Sequence, residues 1–425
     1  MGQNGMTRSQ HAASKARLFR KQGATKAATR DLRDGAQPSR VRHLKIAVLA
    51  ALFAGLALSP KLWFGGRLYP LSPVFRFLGT IPAGVEATVY VALLATLAVI
   101  AIVARPAKWI ALFALLSIVM VLFDQSRLQP WLYQYLMMLA AVAMYDGLAW
   151  HDGERHPALN ACRLMVVCIY IWSGLQKANA DFMMRGFPSL IAPFTRSLPH
   201  SIAAIMDSAG YVVPFIEIGI GIALLTRRFR RYAIFAAAGM HVFILLAIGP
   251  FGLDFDSVVW PWNIAMIVFV AILFWPWPNL TAREIVWPRG VRFQRLVLLL
   301  FGIVPALSFF DAWDEYLSFA LYADSRHVPI LQASSALTAR LPRGILKYVY
   351  VSDKPGRPNL INVLEWSLDE LNVPVYPEPR IYKNTARYIC TYAKEPSEVK
   401  LTIRRKRVLF SADTQELYDC PALLR

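Results

Sequence analysis

Four polar side chains stand inside apolar runs of this chain, and their types suit proton transfer. They are Lys177 in IYIWSGLQKANADF, Glu217 in YVVPFIEIGIGIALL, His241 in AAAGMHVFILLAIGPF and Asn263 in VVWPWNIAMIVF. An ionisable group within a membrane helix is costly unless it faces the bundle interior and finds a partner. Tyr170, Gly174 and Lys177 fall at i, i+4 and i+7, so the gap left by the glycine lies on the face that carries the lysine. Two bland readings compete with a site. Lys177 ends its helix, where a lysine can snorkel to the surface. The whole set can also be a packing network in which Glu217 pairs with His241 or with Lys177.

The elements that must position these groups are membrane helices. The chain has 425 residues, 56% of them hydrophobic and 17% charged, with a mean hydropathy of +0.41, as expected of an integral membrane protein. Apolar runs at roughly 44–64, 87–104, 107–123, 131–149, 161–177, 211–225, 232–250, 258–275 and 293–310 predict about nine transmembrane helices. The expected fold is thus an all-α polytopic bundle over 44–311 with a small C-terminal α+β domain over 312–425. Residues 1–43 read as a basic, disordered cytoplasmic tail, with an organellar transit peptide as the alternative.

The net charge of +19 is uneven: residues 1–45 carry eleven Lys/Arg against Asp31 and Asp34. Such charge serves orientation and contact with anionic membrane lipids, so nucleic acid is not an expected partner. No protein partner can be named. A cytoplasmic N-terminus puts Arg105/Lys108, Arg155/Arg163, Arg227-Arg228-Phe229-Arg230-Arg231 and Arg283/Arg289/Arg292/Arg295 inside. Asp124, Asp181, Asp207, Asp254 and Asp256 then fall outside, and an odd span count sends the C-terminal domain to the outer face. A bacterial inner membrane, with that domain periplasmic, is the expected setting. Trp260/Trp262 and Trp275/Trp277 bracket one span as interfacial anchors. At ~1.5 Å per residue, Glu217 lies roughly 9 Å, His241 roughly 14 Å and Asn263 roughly 7 Å below the outer end of its helix, with Lys177 near the surface. All four therefore share the outer half of the membrane, which favours an outward-facing polar pocket.

Beyond Asp311, strand-like alternation at Lys347–Ser352 and Val399–Phe410 flanks a helix over Leu360–Leu371 that Pro374, Pro377 and Pro379 end. Arg404-Arg405-Lys406-Arg407 reads as a solvated strand edge or a lipid-headgroup contact. Cys390 and Cys420 share this region and form a disulfide if it faces an oxidising compartment; the alternative is two unpaired thiols. Cys162 and Cys168 read as packing residues.

Metal and cofactor motifs are weak. His151-Asp152-Gly153-Glu154-Arg155-His156 has ligand types but no fourth ligand, so no metal is expected. A bis-histidine haem fails because His241 is the one clearly intramembrane histidine. Phosphate loops, zinc-protease helices and nucleophile elbows are missing.

The segment IYIWSGLQKANADF, the helix with Glu217, the RRFRR turn, the helix with His241 and the WPWN segment together resemble the horizontally transferred transmembrane group, to which the vitamin K-dependent gamma-carboxylases belong. The resemblance spans roughly 160–275 and centres on Gly174-x-x-Lys177-x-x-x-Asp181-Phe182. It implies that Lys177 is the base that deprotonates a reduced quinone, a role that requires a neutral amine. The carboxylases have two consecutive lysines, and here the first is Gln176. A looser likeness to DoxX-type redox membrane proteins is also present. These readings make Lys177, Glu217 and His241 the catalytic candidates. Tyr170, Asn179, Asp181, Trp260 and Asn263 are the binding candidates. The chemistry would be quinol- or lipid-linked proton abstraction, and the alternative is a non-enzymatic scaffold that binds lipid or a partner. A transporter would be expected to show inverted halves, and none is visible.

Overall fold

A computed structural model describes residues 37–79, 81–146, 155–276, 278–324, 327–354, 356–405 and 414–424. Residues 1–36 of the expected tail, His151–Glu154, Trp277 and the 406–410 part of the last expected strand lie outside the described residues. The apolar runs become helices because lipid offers no partner to a free backbone N–H or C=O. In chain order they are α1 (Gln37–Leu58), α2 (Ala83–Ile102), α3 (Ala107–Phe123), α4 (Pro130–Met144) and α5 (Pro157–Lys177). There follow α6 (Phe187–Thr195), α7 (His200–Ser208), α8 (Val213–Leu225), α9 (Arg230–Ile248) and α10 (Val259–Phe274). The last, α11 (292–310), passes from α through π to 3-10 geometry.

Among the described residues, five helices are long and apolar enough to cross a membrane, at 40–58, 83–102, 157–177, 230–248 and 292–310. A sixth forms if His200–Tyr211 and Val213–Leu225, bent by 43°, are one broken span. Helices α3, α4 and α10 have 17, 15 and 16 residues. Their lengths are roughly 22–26 Å, short of the ~30 Å hydrocarbon layer. Length therefore does not give the expected nine spans. Proline sets some of these limits: Pro130 opens α4 and Pro276 follows the end of α10.

Two further expectations change. Helix α1 begins at Gln37, inside the stretch assigned to the tail, and its first turns carry Arg40 and Arg42. Arg163 and Arg230, read from sequence as loop charges, are fully buried. Arg163 donates from Nε to the Leu273 carbonyl at 2.8 Å, one of the carbonyls that the end of α10 leaves without an intrahelical partner. Arg230 reaches the carbonyls of Leu224, Leu280 and Pro278. Both guanidiniums tie helix ends together.

The C-terminal part is an antiparallel five-stranded sheet. Its strands are β1 (His327–Ala333), β2 (Val349–Tyr350), β3 (Asn359–Ile361), β4 (Val399–Arg405) and β5 (Thr414–Tyr418), in the order β2-β3-β1-β4-β5. Leu360 and Ile361, read as helix, belong to β3. The helix α12 (Val363–Leu371) starts only after Asn362, whose side chain accepts from Glu365 N. Asn372, with φ +56°, closes it before the prolines. Pro379 opens another helix, α13 (Pro379–Cys390), which buries Ile381, Tyr382, Ala386 and Ile389. The domain is bonded to the bundle. Asn372 Nδ2 donates to Leu58 O and Ser257 Oγ, Asn384 Nδ2 to Leu71 O, and Gln125 Nε2 to Asp314 Oδ2.

Candidate functional site

Helices α5 and α8 cross at glycines, which allows the site to form. A Cβ on Gly174 would sit 2.5 Å from the Pro214 carbonyl, and one on Gly221 would sit 2.7 Å from Ile171 Cγ1. The gap read beside Lys177 is therefore occupied by the backbone of α8. That approach places Lys177 Nζ 3.0 and 3.2 Å from the two carboxylate oxygens of Glu217. Ser173, one turn before Lys177, accepts from the same ammonium and donates to Glu217 Oε1 at 3.3 Å. The pair is almost fully buried, with side-chain exposures of 11% and 6%. Each group supplies the other's counter-charge within the bundle.

A second polar chain joins α5, α9 and α10. Tyr170 OH lies 2.8 Å from His241 Nε2, and His241 Nδ1 lies 2.8 Å from Asn263 Oδ1. Asn263 Nδ2 donates to Val259 O at 3.0 Å, which fixes the amide with its oxygen toward the ring. The network thereby assigns the proton to Nδ1, and Nε2 accepts from the Tyr170 hydroxyl.

Both groups border one cavity of about 290 Å³. Its remaining wall is apolar: Ile169, Leu190, Val213, Met240, Ile244 and Met266, with Phe182 and Phe187 from the segment after α5. Leu321 and Tyr322, just beyond the bundle, contribute as well. Ile216 on α8 and Phe243 on α9 line the cavity and are also exposed on the lipid-facing surface. The fold thus brings Tyr170, Lys177, Glu217, His241 and Asn263 together.

Three sequence candidates lie elsewhere. Asn179 donates to Gln176 O and Ala323 O and accepts from Phe182 N, so it shapes the exit from α5. Asp181 pairs with Arg185 one turn on. Trp260 donates to Ile248 O and Phe255 O, while Trp262 faces the cavity and donates to Gln134 Oε1 at 2.7 Å. Ser173 and Tyr322 were missed by sequence reasoning. The i, i+4 spacing to Lys177 would have found Ser173; no local signal marks Tyr322. Cys390 and Cys420 form a disulfide with Cα atoms 5.6 Å apart, far from the cavity helices in sequence, while Cys162 and Cys168 are free and buried. Among the described residues, no group of three or more His, Cys, Asp or Glu is placed to hold a metal ion.

The family model described as Methylamine utilisation protein MauE matches residues 155–251. That stretch holds α5, α8 and α9, and with them Tyr170, Ser173, Lys177, Glu217 and His241; Asn263 lies beyond it. No curated protein and no solved structure matches the chain. The match and the apolar helices identify an integral membrane protein. They lend no support to the gamma-carboxylase-like or DoxX-like resemblance. Much of the motif that carried it has a local explanation, since Asn179 and Asp181 serve the turn after α5.

Proposed function

We propose that the cavity receives an apolar, membrane-soluble molecule bearing a hydroxyl or carbonyl group, with a quinol as the test case, and exchanges a proton with it. One observation carries this reading: a Tyr–His–Asn chain and a Lys–Glu pair border a single apolar cavity within the bundle. Exposed Ile216 and Phe243 in its wall suit access from the lipid between α8 and α9. A ligand hydroxyl gives its proton to the Tyr170 oxygen while the Tyr170 proton passes to His241 Nε2. The resulting imidazolium is held by Asn263 Oδ1 at its other nitrogen. Lys177, held by Glu217 and Ser173 at the cavity wall, stabilises the oxygen that has lost its proton. This assigns the base role to the Tyr170–His241 pair instead of Lys177.

Purified protein titrated with a short-chain benzoquinol, with mass spectrometry of its lipid extract, tests the reading. Saturable binding is expected, weakened at least tenfold by His241→Leu. An extract holding phospholipid alone, with no saturable quinol binding, would leave the scaffold role in place.

The topology that accompanies this proposal has nine crossings, with the short α3, α4 and α10 met by local thinning of the bilayer. It is supported by the outer domain bonding to the end of α1 and to the loops at Leu71, Gln125 and Ser257, all expected on one side. Arg155 and Arg227 meet at Glu284 among the loops expected on the other side. Reporters fused after Arg425 and at Arg228 should read opposite sides; agreement between them would refute the count.

A further inference from the structure

The cavity has a neighbour across a thin wall. Leu321 and Tyr322 line it from above, and the same two residues line a second cavity of about 430 Å³ beneath the sheet domain. The Tyr322 hydroxyl donates to Asp256 Oδ2, a contact between residues 66 apart in sequence. Asp256 belongs to the loop between α9 and α10 and is 3% exposed. Asp256 also lines a polar groove, with Asp254, Lys347 and Asp369. Its other oxygen, Oδ1, is buried without a hydrogen-bond partner among the described residues.

The backbone at both residues is left-handed, with φ +54° at Tyr322 and +48° at Asp256. Aspartate tolerates that region, but for an aromatic residue it is uncommon and strained. The ring is held there by an edge-on contact with Phe255, centroids 5.7 Å apart. A strained tyrosine therefore faces the membrane cavity while its hydroxyl is bonded to a buried acid at the outer groove.

We infer that Tyr322 and Asp256 form a proton route between the membrane cavity and the outer aqueous face. The inference rests on the proton-exchange reading above. In the outward direction, a proton from the cavity attaches to the Tyr322 oxygen as the Tyr322 O–H bond breaks and its proton passes to Asp256 Oδ2. A half-turn of the carboxyl exchanges its two oxygens, and the proton leaves to water in the groove. Charge and atoms balance, and no other reactant is needed. Burial pushes the Asp256 carboxyl up to about 7, against the Tyr322 hydrogen bond, so near neutral pH it takes up and releases protons. The titratable groups around it are Tyr322 and Tyr316 on the strap beyond α11, with Asp254, Lys347, Tyr348, Glu365 and Asp369 in the groove.

The test is hydrogen–deuterium exchange at the Tyr170 hydroxyl, read by infrared spectroscopy after transfer of the full-length protein in nanodiscs to D2O. The relevant band is the C–O–H mode lost in Tyr170→Phe. Tyr322→Phe and Asp256→Asn, both close to isosteric, should each slow that exchange at least tenfold, and the double variant should be no slower than either. If Tyr322 were only a latch on a lid, its loss would open the cavity and speed exchange. Faster exchange, an unchanged rate, or slowing in only one of the two variants overturns the route. If the wild type binds no quinol, the function proposed above falls, yet these rates still decide whether the route exists.

Discussion

Among the described residues, a buried arginine cluster at the ends of α2 and α3 contrasts with the buried Lys177–Glu217 pair, which lines the cavity of about 290 Å³. In the first, Arg127 donates from Nη2 to Glu86 Oε1 at 2.6 Å, from Nη1 to Met120 O and from Nε to Leu62 O, both at 2.8 Å. Arg67 pairs with Asp124 beside it. In the second, Lys177 and Glu217 are joined by Ser173 alone and lie at the wall of a cavity. The arginine cluster spends its planar fork on fixed acceptors and locks the ends of α2 and α3 to the loop after α1. The lysine cluster keeps a compact charge beside a space that a ligand can fill. Burial and pairing are common to both clusters; the cavity beside the lysine pair is what sets it apart.

The largest effect should come from the arginine cluster. Arg127→Ala leaves Glu86 as an uncompensated buried charge, and the expected loss is about 3–5 kcal/mol. Chemical unfolding in detergent measures it, and a loss below about 1 kcal/mol would remove the distinction drawn here. Gly174→Ala comes next. Its Cβ meets the Pro214 carbonyl at 2.5 Å, so α5 and α8 must separate at a cost of about 1–3 kcal/mol. Quinol affinity should fall with it, because the Lys177–Glu217 pair depends on that crossing.

A double replacement gives the sharpest contrast. Lys177→Met with Glu217→Met removes both charges at once, which is often close to neutral for a buried pair, so stability should stay within about 1 kcal/mol. Quinol binding should be lost nonetheless. A stability loss as large as that of Arg127→Ala would make the cavity pair a structural lock as well.

The smallest effect is a pH trend carried by Glu378 in the C-terminal domain and Asp256 in the loop between α9 and α10. Burial, with the charge of Asp314, pushes the Glu378 carboxyl up to about 7, against the pull of Arg380, and burial does the same at Asp256. The folded protein then holds these protons more tightly than the unfolded chain. The associated stability is full below about 4 and is lost as pH rises through about 7. The melting temperature should therefore be higher at pH 5 than at pH 8, with the slope reduced in Glu378→Gln. Glu398, lowered to about 2 mainly by its hydrogen bond with Arg340, acts only in more acid solution. A flat profile between pH 5 and 8 would show that neither carboxyl is shifted as described.

Much of this was legible in the sequence because lipid imposes simple rules. Apolar runs must be helices, and polar groups within them must find partners, so Lys177, Glu217, His241 and Asn263 stood out as a set. The sequence also left Cys390 and Cys420 as the two cysteines of the C-terminal region, where they form the disulfide. Local readings failed where a side chain's partner lies far along the chain. Arg163 and Arg230 looked like loop charges because the carbonyls they bind, at Leu273, Pro278 and Leu280, belong to other elements. Trp260 and Trp262 are two residues apart, and only the rotation of α10 within the bundle decides that the second faces the cavity.

By itself, then, the sequence determined that the chain enters a membrane, which runs of it are apolar helices, and that a polar region follows the last apolar run. These depend on composition and on the rise per residue of a helix, which are local. The tertiary structure alone decided that Glu217 pairs with Lys177 while His241 pairs with Tyr170 and Asn263, that a cavity remains between the two pairs, and that Tyr322 meets Asp256 above it. Which residues share a space is set by helix rotation and by close approach at Gly174 and Gly221, and neither is written in a linear spacing.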